Sequence, residues 1–345
     1  MTFMPAADAA APRIRDEGTA VAHPNIALVK YWGKRDESMF LPVTGSLSMT
    51  LDIYPTTTTV RLTAGPADVV VLNGNTATGT AHSRVERFLD MIRGKAGRDE
   101  RAEVISTNTG PTGAGLASSA SGFAALAAAA AAAYGLNVDG RELSRLARRG
   151  SGSACRSIFG GFVVWHAGEG DGEAGDRSSY AEPIDGDVLD PALVVAVVDN
   201  AAKAVSSRDA MRLTCATSPF YRPWAEASAV DLDEMRMAIA RRELSAVGEI
   251  AERNALGMHA SMLMARPSIR YLSPQSVAIL DRVLALRADG VAAYATIDAG
   301  PNVTVLCARS DTPRVDAALR EVGDFVDTRV AHLGPGAALV PGGDR

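Results

Sequence analysis

The chain has 345 residues, 47% of them hydrophobic and 22% charged, with a formal net charge of −5. This length allows two domains or one large two-lobed one, and the apolar content supports a sizeable core. The negative balance favours neither nucleic acid nor a membrane as a partner, so any anionic ligand must be met by a local cluster of positive charge.

Residues 1–18 mix Ala and Pro with charged side chains and lack the apolar stretch of a secretory signal, so they read as a flexible tail. Residues 19–30 lean apolar and are broken by His23-Pro24-Asn25. Alternation over 47–54 predicts a half-buried strand, and the β-branched 56–62 is expected to continue that sheet. A strand over 69–72 should enter a hairpin turn at Asn73-Gly74. Over 81–92, Val85, Phe88, Leu89 and Ile92 share one helical face. Residues 101–106 predict a strand leading into a glycine-rich loop. Nearly continuous alanine over 121–134 predicts a helix closed by Gly135, too short and alanine-rich to span a bilayer. A second helix over 141–149 ends at Gly150, a Gly/Ser segment fills 151–156, and a strand follows over 159–165. Residues 168–179 read as a polar, Gly-rich loop, expected to be mobile.

The second half predicts a buried strand over 193–198 and helices over 206–217, 232–246, 249–264 and 275–288. Strands over 291–297 and 303–307 flank Asp298-Ala-Gly-Pro-Asn302, and a helix over 312–322 precedes a terminal loop and tail. Strands and helices alternate irregularly, with hairpin signals, which favours an α+β fold over a doubly wound sheet. Cys155, Cys215 and Cys307 fit neither a disulfide framework nor a zinc pattern, which implies a reducing, cytoplasmic setting.

Residues 108–122 read Asn-Thr-Gly-Pro-Thr-Gly-Ala-Gly-Leu-Ala-Ser-Ser-Ala-Ser-Gly, directly before the alanine helix. Glycine lets backbone approach a ligand, and a helix N-terminus offers unpaired N–H groups and partial positive charge. Together they suit phosphate, and the serine hydroxyls can cap the helix, hold phosphate oxygens or ligate magnesium. The Gly-Lys-Ser/Thr ending of a P-loop is absent, and the dinucleotide fingerprint is broken where its third glycine is Ser118. A capped helix after a Gly/Pro turn is the plain alternative.

Three further segments hold candidate chemistry. The chain has only four lysines among its 35 basic residues, and Lys30 and Lys34 bracket Tyr31-Trp32-Gly33 and precede Arg35. Two ammonium groups, a guanidinium and two amphipathic aromatics are the parts needed to hold a compact polyanion, although a strand with a basic end has the same composition. In Ser151-Gly-Ser153-Ala-Cys155-Arg156-Ser157 an arginine in a Gly/Ser turn can clamp a carboxylate; a helix end and turn is the alternative. Cys155 has no identifiable histidine partner and reads as a buried thiol. Asp298, at a strand end before Gly300-Pro301, can orient or accept a hydroxyl proton in phosphoryl transfer; a turn-forming aspartate is the plain alternative. Arg208, near a helix start, adds another cation. The few histidines show no metal-ligand spacing, which leaves magnesium held mainly by nucleotide phosphate.

These residues carry a resemblance. Residues 111–121 resemble the nucleotide-phosphate loop of the GHMP kinase superfamily. The runs 25–35, 151–162 and 298–302 look like those of the diphosphomevalonate decarboxylase family, in that family's order. Departures at Thr109-Gly110, Gly113 and Val43-Thr44-Gly45 touch loop backbone and not charged groups. The resemblance implies a GHMP kinase-like α+β fold of two lobes with the active site in the cleft between them, usually as a homodimer. On this chain the lobes would be residues 19–190 and 191–335, with 336–345 a tail. The implied activity is ATP-dependent, Mg²⁺-assisted decarboxylation of (R)-5-diphosphomevalonate to isopentenyl diphosphate, releasing ADP, phosphate and CO₂.

By the same resemblance, Asp298 orients or deprotonates the substrate's 3-hydroxyl and Arg156 holds its carboxylate. Tyr31, Lys34, Ser151, Ser153 and Arg208 bind the diphosphate and neighbouring groups, Lys30 adds a phosphate contact, and Asn25 orders the site near the hydroxyl. Pro111, Gly113, Gly115, Leu116, Ala117, Ser118, Ser119 and Ser121 form the nucleotide site. Ser118 is the candidate magnesium ligand and, with Lys34, joins the catalytic set. Competing readings are a GHMP small-molecule kinase for mevalonate or phosphomevalonate, a decarboxylase of the monophosphate, and a non-catalytic sensor on the same fold. Arg156 separates the first, because a kinase has no need to clamp a departing carboxylate.

Overall fold

The computed structural model describes residues 16–110, 118–198, 205–323 and 326–341, and of Ser118 the backbone alone. The chain opens with β1 (Glu17–Ala22) and β2 (Asn25–Val29), separated at Pro24, then a small ribbon of β3 (Lys34–Asp36) and β4 (Leu41–Pro42). Next come β5 (Ser46–Thr50), β6 (Thr56–Thr63), β7 (Val69–Leu72), β8 (Asn75–Thr76), α1 (Gly79–Ala96) and β9 (Arg101–Asn108). The alanine helix is α2 (Ser118–Ala133), followed by α3 (Gly140–Gly150), a 3-10 turn (Gly152–Ile158), β10 (Phe162–Trp165), α4 (Gly172–Ser178) and β11 (Ala181–Ile184). The second half runs β12 (Pro191–Val197), α5 (Ser207–Thr217), α6 (Tyr221–Ala240), α7 (Leu244–Leu263), α8 (Pro274–Ala288), β13 (Tyr294–Ile297), β14 (Val303–Ala308), α9 (Thr312–Arg320), β15 (Asp327–Ala331) and β16 (Ala338–Leu339).

Three main sheets result. The first has the order β16-β1-β6-β9-β7-β8, the second β11-β10-β5-β2, and the third β13-β14-β12-β15. Every pairing between these strands is antiparallel except β7 with β9, as expected of an α+β fold. Asn73 and Gly74 both take positive φ, 50° and 80°, which makes the tight turn joining β7 to β8. Against the first sheet lies α2, whose small side chains let backbones approach. A Cβ on Gly18 of β1 would stand 2.3 Å from the Ala129 carbonyl oxygen, so only glycine fits there.

The second and third sheets share one core. Leu28, Leu47, Met49 and Phe162 pack with Leu193, Val195 and Leu306 and with Val247 and Ala251 of α7. Alternate residues of β12 point the other way: Ala192, Val194 and Ala196 join Ile279 and Val283 of α8 and Val315 and Leu319 of α9. The halves of the chain are therefore joined through buried side chains rather than by a linker.

Several sequence expectations are corrected. Strands β5 and β6 do not share a sheet; Tyr54 at φ 56°, followed by Pro55, turns the chain between them. The helix expected over 232–246 starts eleven residues earlier as α6 and stops at Ala240, where Arg242 takes φ 63° and α7 restarts. The expected terminal loop and tail contain β15, an edge of the third sheet, and β16, which returns to pair with β1. The N-terminal tail likewise ends sooner, since Glu17 and Gly18 already belong to β1.

The expected mobile loop at 168–179 contains α4 and is tied down. Asp176 pairs with Arg145 and with the fully buried Arg148 at 2.5 Å, and Arg148 also donates to the Met39 carbonyl at 2.7 Å. Arg35 donates to the carbonyls of Ala167 and Gly168. Cations carried on β3 and α3 thus close a Gly-rich segment that has little apolar surface of its own. Asp176→Ala leaves Arg148 buried without its carboxylate and should cost about 3–5 kcal/mol, read as a lower urea midpoint. An unchanged midpoint would refute the tie.

Candidate active site

The ends of β2 and β13 meet where the two halves of the chain join. Thr296 on β13 donates from its hydroxyl to the Ala27 carbonyl of β2 at 3.3 Å. One residue beyond each strand stand Lys30 and Asp298. The Lys30 ammonium donates to Asp298 Oδ1 at 2.6 Å. Lys30 is 2% exposed and the Asp298 side chain 34%, so the ammonium backs a carboxylate that faces the opening. Burial pushes the Lys30 pKa below its ordinary value, and Asp298 opposes that shift. The resemblance implies a phosphate contact for Lys30; in the structure its ammonium pairs with Asp298.

The 3-10 turn after α3 presents the second group. Arg156 is 2% exposed. It donates from Nη1 to Ser46 Oγ at 2.6 Å and from Nη2 to Asn25 Oδ1 at 3.1 Å. Asn25 Nδ2 in turn donates to Ser157 Oγ at 2.8 Å and to the Ser153 carbonyl at 3.1 Å. Among the described residues no carboxylate forms an ion pair with this guanidinium, and burial lowers its pKa. A buried cation held only by neutral groups retains most of its desolvation cost, so the position favours an anion.

Tyr31 lies under the same turn, its ring 4.7 Å from that of Trp165. A Cβ on Gly152 would come within 2.8 Å of the Tyr31 ring, so that glycine makes room for it. The phenol is buried, is raised in pKa by that burial, and has no hydrogen-bond partner among the described residues. Lys34 donates to Glu37 at 2.6 Å and lies 4.8 Å from the centre of the Phe40 ring. Arg208 approaches the same ring at 5.9 Å, and a 240 Å³ cavity beside Lys34 is lined also by Arg212 and Cys215.

At the start of α2, the exposed Ser119 lies 3.3 Å, hydroxyl to hydroxyl, from Ser151. This brings the expected nucleotide and substrate segments together. Ser121 is fully buried and its hydroxyl meets that of Thr56 at 2.7 Å, which ties the start of the helix to β6. Pro111, Gly113, Gly115, Leu116 and Ala117, and the side chain of Ser118, lie outside the described residues.

Sequence reasoning missed three side chains here. Arg84 of α1 donates to the Gly150 carbonyl at 3.3 Å, and burial and the nearby Arg208 lower its pKa. Its position at the edge of the apolar face of α1 was the available signal. Asn254 and His259 of α7 bond to the main chain of Lys30 and Asp298. Nothing in the local sequence of α7 connects it with either partner. The assembled site has five cations (Lys30, Lys34, Arg84, Arg156 and Arg208) around two carboxylates, Asp298 and Glu37. It can hold anionic groups on one side while a carboxylate orients a hydroxyl.

Residues 22–181 match the model of the diphosphomevalonate decarboxylase-like N-terminal domain, and residues 193–332 that of the mevalonate 5-diphosphate decarboxylase C-terminal domain. Diphosphomevalonate decarboxylase of Danio rerio is 36% identical over 322 residues, 88% of this chain and 78% of that protein. The Homo sapiens protein of the same name is 37% identical over 310 residues, 83% of this chain and 76% of that one. Among solved structures, the mevalonate diphosphate decarboxylase from Enterococcus faecalis, described for ATP binding mediated by mevalonate diphosphate, superposes with a TM-score of 0.88 at 42% identity. The Staphylococcus aureus enzyme superposes at 0.89 and 38%, and both matches cover 94% of this chain and 98% of the other. A complex of MDDEF with MVAPP, AMPPCP and magnesium matches at 0.88 and 43%, with the same coverage. The chain belongs to the diphosphomevalonate decarboxylase family.

Proposed function

We infer that this protein catalyses the ATP-dependent decarboxylation of (R)-5-diphosphomevalonate to isopentenyl diphosphate, ADP, phosphate and CO₂. The observation that carries this reading is the buried Arg156, which bonds to Ser46 and Asn25 and has no carboxylate partner among the described residues. A substrate carboxylate supplies the missing counter-charge.

In this reading Lys34, Arg208, Ser151, Ser153 and Tyr31 take the diphosphate end, and Arg156 takes the carboxylate. The 3-hydroxyl then meets Asp298, whose position is held by Lys30. A tertiary alcohol is a very weak acid, so alignment counts for more than basicity. As the hydroxyl oxygen attacks the γ-phosphorus of ATP, its proton passes toward Asp298 and ADP leaves. The phosphorylated C3–O bond then breaks, phosphate departs with the bonding pair, and the electrons of the C–CO₂ bond form the alkene. Arg156 holds the carboxyl group so that the breaking C–CO₂ bond is aligned with the departing phosphate.

Among the described residues no group of three His, Cys, Asp or Glu is placed to hold a metal. Hydroxyls such as that of Ser119 fit a magnesium ion carried by phosphate oxygens better than one caged by protein. When bound, magnesium would neutralise charge on the transferring phosphoryl group, with Ser118 its proposed protein ligand. We also read the protein as a cytoplasmic homodimer with lobes near 19–190 and 191–335, the final strand returning to the first lobe. The cytoplasmic reading is supported by three free thiols, Cys155, Cys215 and Cys307, and the dimer by family membership alone. No helix among the described residues is long and apolar enough to cross a membrane.

The deciding assay gives the purified protein ATP, Mg²⁺ and diphosphomevalonate and measures ADP and CO₂ together. Equal yields are expected; ADP without CO₂ would identify a kinase, and neither product a sensor. Asp298→Asn should lower turnover by at least about 10³-fold, combining lost proton acceptance and misalignment, while an ATP analogue still binds by calorimetry. Arg156→Lys keeps the charge but loses the planar fork, and turnover should fall about 10–100-fold. Near-normal turnover in either variant removes that residue from its role.

A further inference from the structure

We propose that α7 sets the geometry of the Lys30–Asp298 pair, with Asn254 and His259 acting as positioning residues for the reaction. The inference rests on the reading of Asp298 as the carboxylate at the reacting hydroxyl. Asn254 Oδ1 accepts the backbone N–H of Lys30 at 2.8 Å. His259 Nε2 lies 3.2 Å from the backbone carbonyl of Asp298. A carbonyl oxygen can only accept, so His259 is the donor and carries its proton on Nε2. Both side chains are at least nine-tenths buried. One rigid helix therefore grips the main chain of each member of the pair, five residues apart on its own sequence.

The directions of these bonds matter. The bond to the Asp298 carbonyl constrains the peptide plane from which the carboxylate projects, and the bond to the Lys30 amide constrains where its side chain begins. Asn254 is itself held. Its Nδ2 donates to Ser228 Oγ at 3.0 Å and to Asp231 Oδ2 at 2.8 Å, and its backbone carbonyl accepts from Trp224 Nε1 at 3.1 Å. Two acceptors around Nδ2 and one donor at Oδ1 leave the amide a single consistent orientation. His259 is neutral, since burial and the nearby Lys30 push its pKa down to about 4. It therefore adds no second cation beside Asp298 at neutral pH. Tight packing turns small losses of support into displacement of the reacting groups, and displacement near 1 Å is costly to rate.

Three variants test this in the full-length protein. His259→Leu removes the donor, Asn254→Ala the acceptor, and His259→Gln keeps an N–H donor at similar reach. For His259→Leu and Asn254→Ala, kcat should fall about 10–100-fold with KM for both substrates little changed, the signature of misplaced reacting groups. His259→Gln should restore most of the loss. Unchanged kcat in folded His259→Leu, or a loss confined to KM, overturns the proposal. If His259→Leu and Asn254→Ala do not fold, His259→Gln decides: near-normal kcat supports the donor role, and a large loss or failure to fold overturns it. Should the unsubstituted protein release ADP but no CO₂, the decarboxylase reading falls. The same kcat comparison is then made on ADP release.

Discussion

A lysine ammonium almost wholly withdrawn from water must have a carboxylate, and here the carboxylate lies 268 positions further along the chain. The Lys30–Asp298 contact can form only if β2 and β13 end side by side. That requires the sheet carrying β2, the helix α7 and the sheet carrying β13 to pack as one core. The same requirement explains why the halves are not loosely tethered. A shift at their junction would leave a buried ammonium unpaired, which costs several kcal/mol.

Around this pair the protein gathers cations against its overall charge of −5. Lys34 and Arg208 share the ring of Phe40, and Arg84 stands near Arg208. Arg156 is held by hydroxyl and amide oxygens alone among the described residues. These arrangements are unfavourable in isolation, since like charges repel and burial penalises Arg84 and Arg156. They make sense as a site whose electrostatics are completed by anionic ligands, with its dipoles and charges oriented before the ligand arrives.

The turn that carries Arg156 is itself held from behind by the chain's last segment. Gly334 lies so close to Leu51 that a Cβ there would be 2.0 Å from the Leu51 carbonyl oxygen, and Gly336 is equally confined against Ile158. Gly161 N–H donates to the Gly334 carbonyl at 3.0 Å and Ala337 N–H to that of Ile158 at 3.1 Å. Backbone packed on backbone at this distance tolerates no side chain, and it links the C-terminus to the presentation of the guanidinium.

Local signals decided much of this protein in advance. The alanine run, Gly135 and Asn73-Gly74 specify their helix and turns because propensity and positive φ are properties of a few adjacent residues. The runs at 25–35, 151–162 and 298–302 were legible as chemistry for the same reason, since Lys34, Arg156 and Asp298 sit in short, distinctive contexts. Other features were decided only by contacts distant in sequence. Helix α4 depends on Asp176 finding Arg148, and β16 on finding β1. Contacts distant in sequence also join the Ser121 hydroxyl to that of Thr56 and the Lys30 ammonium to Asp298. Asn254 and His259 gave no sign in sequence, because a hydrogen bond to another segment's main chain leaves no mark on the residues around its donor. The sequence by itself determined the groups and the reaction they suit. The tertiary structure decided which of them meet and which are buried, because pairing and desolvation are set by packing and not by neighbours along the chain.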